Sequence, residues 1–174
     1  MTETTTTAMQ HNRRKIEWWP LVVALLLTGV SAACRRDDKP VRTYVALPAT
    51  GWRQDVPITF NLQDMELDST AHYDVTLSLR HDNDYRFANL SLVVDLLDAD
   101  GQMKRHRVEL PLSDNYGSWK GSGFGAFYQV EMPVAHDVLA KDLCHVVVWQ
   151  VMDSVAELGH IDQLGLLLVK SNRK

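Results

Sequence analysis

Residues 72–80 read HYDVTLSLR, and their strict alternation constrains the fold more than any other stretch of the chain. Tyr73, Val75, Leu77 and Leu79 fall on one side, while His72, Asp74, Thr76, Ser78 and Arg80 fall on the other. A period of two belongs to a β-strand with one buried and one wet face, because successive side chains point to opposite sides. The following stretches behave alike. Asn89–Leu97 is apolar at Leu90, Leu92, Val94 and Leu96, Asp98-Ala99-Asp100-Gly101 supplies a turn, and residues 102–110 complete a predicted hairpin. Shorter strands are expected at 43–47, 57–62 and 124–131. The apolar runs 144–151 and 164–170 should lie centrally, covered on both faces. Only residues 135–142 suggest a helical turn. About eight short strands separated by turn residues point to an all-β chain forming a single antiparallel β-sandwich, with an eight-stranded closed barrel as the alternative.

The N-terminus follows different rules. Residues 1–17 are polar and carry Arg13, Arg14 and Lys15, and residues 18–33 are almost uncharged and end in Ser31-Ala32-Ala33. That apolar span is shorter than the roughly 20 residues a helix needs to cross a bilayer. Basic start, short apolar middle and small-residue end together describe a secretory signal, removed after residue 33. Cys34 then has three readings: an unmodified mature terminus, a disulfide partner for Cys144, or a bacterial lipoprotein cysteine carrying a diacylglyceryl group. Its position at the end of the signal favours lipidation, and two or three acyl chains give a lasting anchor where one does not. Cys144 is then free and expected as a small buried hydrophobe. Residues 34–48 form the anchor and tether, spanning about 20 Å on average if flexible. Residues 49–174 form the sandwich domain. The partner on this evidence is a membrane, reached through the lipid.

Charge and motifs narrow the chemistry. A formal net charge of −4 and a pI near 5.9 oppose nucleic-acid binding. The histidines are scattered, without zinc-ligand spacing, and there is no G-x-S-x-G. The GSGFG of residues 121–125 lacks the lysine and hydroxyl of a phosphate loop, and reads as a glycine-rich turn into the next strand. Asp82-Asn83-Asp84 lacks the remaining calcium ligands of an EF-hand and reads as an Asx turn. No catalytic, metal or cofactor-binding residue is therefore expected.

What remains is a set of aromatic and polar residues at strand ends: Trp52, Arg80, Tyr85, Asn89 and Trp119. They are expected to converge at one end of the sandwich, either as a structural plug or as an exposed binding patch. The Arg80 guanidinium suits stacking on Tyr85 or Trp119. Trp52, LSLRHDNDYRFANLSL, GSWKGSGFG and HIDQLGLLL with Gly165 occur in an order that resembles the gliding-motility lipoprotein GldH family of the Bacteroidetes, across the mature chain. The resemblance implies a non-catalytic cell-envelope lipoprotein associated with the gliding machinery and its linked secretion system, with envelope proteins as partners. A surface β-sandwich that binds glycan is the other reading, and it requires two or three coplanar exposed aromatics along a groove.

Overall fold

The computed structural model describes residues 39–171; the signal sequence and Cys34 lie outside the described residues. Eleven strands occur in these residues: β1 Val41–Ala46, β2 Trp52–Arg53, β3 Ile58–Asn61, β4 His72–Asp82, β5 Asn89–Leu97, β6 Met103–Pro111, β7 Ser122–Phe124, β8 Phe127–Leu139, β9 His145–Gln150, β10 Glu157–Leu158 and β11 Ile161–Lys170. They form a five-stranded sheet in the order β1-β11-β4-β8-β7 and a four-stranded sheet in the order β3-β9-β5-β6, with β10-β2 as a small separate ladder. Every pairing is antiparallel. The result is a β-sandwich built from separate sheets rather than a closed barrel.

The alternation along β4 decides which residues meet between the sheets. Tyr73, Val75, Leu77, Leu79 and His81 are buried, and the first four share one core with Leu164, Leu166 and Leu168 of β11 and with Leu90, Leu92, Val94 and Leu96 of β5. Burying a side chain of this kind contributes about 1.5–3 kcal/mol, so this interior layer is the main source of stability. The β5–β6 hairpin forms as expected: Gly101, at φ 77°, donates to the Asp98 carbonyl at 3.2 Å, and the register runs unbroken from Leu97↔Met103 to Asn89↔Pro111.

Four expectations require correction. Residues 41–46, expected within the tether of residues 34–48, form β1 and pair with β11 from Val41↔Leu168 to Ala46↔Gln163, so the sandwich begins before residue 49. Residues 135–139, expected in a helical turn, continue β8, and only Ala140–Asp142 form a 3-10 turn. The alternation is lost because the β4–β8 register shifts twice near Val75 and Asp137 adopts a left-handed φ of 54°. The Asp74 carboxylate holds this bulge by accepting from the Asp137 N–H at 3.0 Å and the Ser171 hydroxyl at 2.8 Å. β9 is central in its sheet but only its Val146, Val148 and Gln150 face is fully covered, whereas β11 is buried on both faces from residue 164 to 168. Cys144, finally, is half-buried with a free thiol rather than fully enclosed.

Gly165 has a packing role. A Cβ there would collide with the ring of Tyr44, its cross-strand partner on β1, which lies across the glycine on the outer sheet face. Gly165→Ala should therefore destabilise the domain by about 1 kcal/mol by displacing the ring, and adding Tyr44→Ala should cost less than the sum of the two single changes. Urea melts of the three variants measure this.

The end of the sandwich that contains the start of β1 carries its own pH dependence. The Thr70 hydroxyl and N–H, then the Lys170 ammonium, lower the Asp68 carboxyl from 3.8 to about 2, and the Asp137 N–H leads the depression of Asp74. Both groups bind protons more weakly in the folded chain, so their contribution is complete above pH 4 and is lost as pH falls towards 2. Thermal melts between pH 5 and 2 should fall in Tm, and Asp68→Asn should make that fall shallower.

Candidate functional site

The opposite end of the sandwich gathers aromatic rings around a buried histidine. His81 continues the inward alternation of β4 and is 0% exposed. Its Nδ1 lies 2.9 Å from the Asp82 carbonyl, an acceptor only, so Nδ1 carries the proton and donates. Trp119 meets the imidazole edge-on at 4.7 Å between centroids, Tyr85 lies at 5.4 Å, and Tyr128 stacks at 5.8 Å. Edge-to-face and offset contacts of this kind add about 0.5–1.5 kcal/mol per pair beyond buried area. The His81 Nε2 is enclosed without a hydrogen-bond partner among the described residues. Tyr85 is buried, its hydroxyl donates to the Asn89 carbonyl at 3.1 Å, and burial pushes its ionisation upward.

Local sequence explains how the rings are delivered. Asp82 caps the turn after β4: its carboxylate accepts from the Asp84 N–H at 2.8 Å, the Asx turn expected there, and this directs Tyr85 back inward. Trp119 sits on a short hairpin closed by a Ser113↔Trp119 bridge and by the Lys120 N–H donating to the Leu112 carbonyl at 2.8 Å. Gly121 and Gly123 let this segment approach β8. A Cβ at Gly121, where φ is +90°, would strike the Gln129 carbonyl, and one at Gly123 would press on the Tyr128 ring. The GSGFG stretch thus includes a strand, β7, paired with β8 through the Phe124↔Phe127 turn.

The tip of the same hairpin projects outward. The Asp114 carboxylate accepts from the N–H groups of Tyr116 at 2.8 Å and Ser118 at 2.9 Å, while Gly117 donates to the Asp114 carbonyl at 3.1 Å. This turn presents Tyr116 at 95% exposure on a fixed backbone.

The structure brings Tyr85, Trp119 and the Asn89 backbone together. Arg80 points to the outer face of the five-stranded sheet, where its guanidinium lies 4.4 Å from the Phe127 ring centroid and 3.4 Å from Asp162. Its stacking partner is therefore Phe127 rather than Tyr85 or Trp119. The exposed Asn89 amide donates to Glu109 at 3.2 Å. Trp52 is buried beside Leu158 in the β2–β10 ladder, its indole N–H donating to the Val56 carbonyl at 2.9 Å, with no ring contact to Tyr85 or Trp119 among the described residues. His81, Tyr128 and Tyr116 were missed by sequence reasoning. His81 was within reach, since it falls on the inward register one residue beyond Arg80. Asp82, Asp84 and His160 offer ligand atoms within 4.8 Å of one another, but the imidazole Nδ1 pairs with Asp82 at 3.1 Å and the carboxylate caps its own turn.

Fold and site together define an antiparallel β-sandwich module with an aromatic-braced loop end. Residues 40–168 match the family described as GldH lipoprotein. The chain belongs to that family, a family of gliding-motility lipoproteins of the bacterial cell envelope. Its relatives include a gliding motility lipoprotein GldH homolog of Christiangramia forsetii, 28% identical and covering 70% of this chain and 78% of the relative. A gliding motility lipoprotein GldH of Flavobacterium johnsoniae is 30% identical, covering 72% and 76%. A tobacco streak virus coat protein aligns over 79% of this chain and 90% of its own at 8% identity with a TM-score of 0.34, too slight a likeness to inform fold or function.

Trp119→Ala should cost about 2–4 kcal/mol, because it removes a half-buried ring against which His81, Tyr85 and Tyr128 pack. Arg80→Ala should cost no more than about 1 kcal/mol, since the Arg80 and Asp162 side chains are 41% and 45% exposed and the pair is screened by solvent. Thermal melts, with near-ultraviolet circular dichroism for the aromatic box, separate the two.

Proposed function

We propose that this chain is a non-catalytic, lipid-anchored component of the gliding machinery and its linked secretion system, which holds the aromatic-braced loops away from the membrane for an envelope protein partner. One observation carries the reading. The chain enters the sandwich at Val41, which pairs with Leu168 and through it stands level with Val75, whereas the aromatic box surrounds His81 at the other end of β4. Six residues of extended strand separate the levels, about 20 Å at 3.3 Å per residue. Only residues 35–40 stand between Cys34 and β1. With residues 1–33 removed as signal peptide and Cys34 lipidated, the Val41 end faces the bilayer and Tyr116 faces outward.

Tyr116 suits a protein partner, because a rigidly held tyrosine brings contact area at small entropic cost and tyrosine is frequent among binding hot spots. The glycan reading draws less support: the exposed aromatics among the described residues, Tyr44 and Tyr116, occupy a sheet face and a loop tip rather than one platform.

Cys34→Ser should release the protein from the detergent phase and abolish fatty-acid labelling while leaving the domain folded; unchanged partitioning would refute the anchor. Tyr116→Ala should change stability by less than about 0.5 kcal/mol, as for ordinary surface positions, yet reduce recovery of crosslinked envelope partner and slow colony spreading. Wild-type crosslinking and spreading would remove the distal loops from the reading.

A further inference from the structure

The four-stranded sheet leaves one long edge unpaired. β6 is nine residues long and pairs with β5 over its whole length without a register shift, and among the described residues no strand pairs with its other side. An open edge exposes a row of backbone donors and acceptors that can accept another strand, which proteins usually blunt by shortening, bulging or proline. The other edges of the two large sheets are short or broken: β1 has six residues, β3 four and β7 three, and the part of β8 beyond β7, residues 130–139, is interrupted by Pro133 and by the register shifts and left-handed Asp137 of its bulge. β6 has no bulge against β5, is proline-free until Pro111, and spans about 30 Å.

The edge also carries charge opposite to that of the chain. Lys104, Arg105, His106 and Arg107 are consecutive, against Glu109 alone, in a protein of formal net charge −4. Arg105 is held by Asp95 at 2.7 Å and Lys104 lies 3.6 Å from Asp142, yet both side chains stay more than half exposed, and Arg107 is exposed as well. A second copy of β6 would set these cations against one another, since like charges on adjacent strands destabilise a pairing.

We propose that β6 is a strand-addition site for an extended acidic segment of a partner protein. Main-chain hydrogen bonds to the open edge supply affinity, and carboxylates placed opposite Lys104 and Arg107 supply selectivity. This surface is separate from the Tyr116 loop, so either can fail without the other.

The test uses the full chain in detergent with two probes, fluorescein-labelled nonapeptides of the repeats Glu-Glu-Thr and Lys-Lys-Thr, whose charges fall on both faces of a strand as Lys104 and Arg107 do. The Glu peptide should bind by fluorescence anisotropy and slow backbone hydrogen exchange over residues 103–111. The Lys peptide should do neither. Combining Lys104→Glu with Arg107→Glu should weaken the Glu peptide by about tenfold or more. Four results would overturn the proposal: no binding, equal binding of both peptides, protection confined to other strands, or unchanged affinity in the double variant. Binding to vesicles of phosphatidylcholine and phosphatidylglycerol that depends on Lys104 and Arg107 without protecting β6 amides would also overturn it, by making the edge a lipid-headgroup contact. Tyr116→Ala should leave peptide binding unchanged.

Discussion

The inward face of β4 is the constraint on which the rest of the molecule depends. Its odd-numbered residues, from Tyr73 to His81, must be buried, and β4 lies between β11 and β8, so both neighbours take their register from it. A slip of one residue would turn Leu77 and Leu79 to solvent and bury Arg80. The same alternation carries the strand past its aliphatic section into His81, where the interior changes from leucines to rings. The core and the loop end are therefore one continuous layer, and the aromatic box is the far end of the hydrophobic core.

This continuity accounts for the placement of polar groups. Asp95 lies on the solvent side of its sheet yet is only 4% exposed, because Arg105 covers it with two hydrogen bonds of 2.7 and 2.8 Å. Gln150, fully buried, accepts from the Met152 N–H and donates to the Val155 carbonyl, which fixes the loop leading to β10. Buried polar groups are tolerated when satisfied in this way, whereas one left unpaired costs about 1–3 kcal/mol. The His81 Nε2 departs from that rule, and what the ring brings is shape, filling the space among Tyr85, Trp119 and Tyr128.

Most of the fold was legible because it rests on periodicity. Asn89–Leu97 was placed to the residue, and the Asp98–Gly101 turn followed from its composition. The two-residue strands β2 and β10 were missed because a ladder so short leaves no alternation to read. β8 was cut short because its bulge at Asp137 erases the period. At the loop end, sequence could gather Tyr85, Asn89 and Trp119, and the alternation that sets Arg80 on the wet face sets His81 on the inner one. What alternation could not show is the partner of each ring or cation, because Phe127 and Tyr128 reach Arg80 and His81 only through the β4–β8 pairing.

The proposed function requires polarity: the end containing Val41 and the β5–β6 turn near the membrane, and the loop end away from it. The most direct measurement places a fluorophore at Asp100→Cys or at Tyr116→Cys, each with Cys144→Ser, in the lipidated protein on vesicles containing acceptor-labelled lipid. The Leu97 carbonyl accepts from the Cys144 N–H, and the Ala71 carbonyl from the Ala140 N–H, so Asp100 belongs to the Val41 end. Energy transfer should be strong from position 100 and weak from position 116. Equal transfer from both sites, or stronger transfer from 116, would contradict the account.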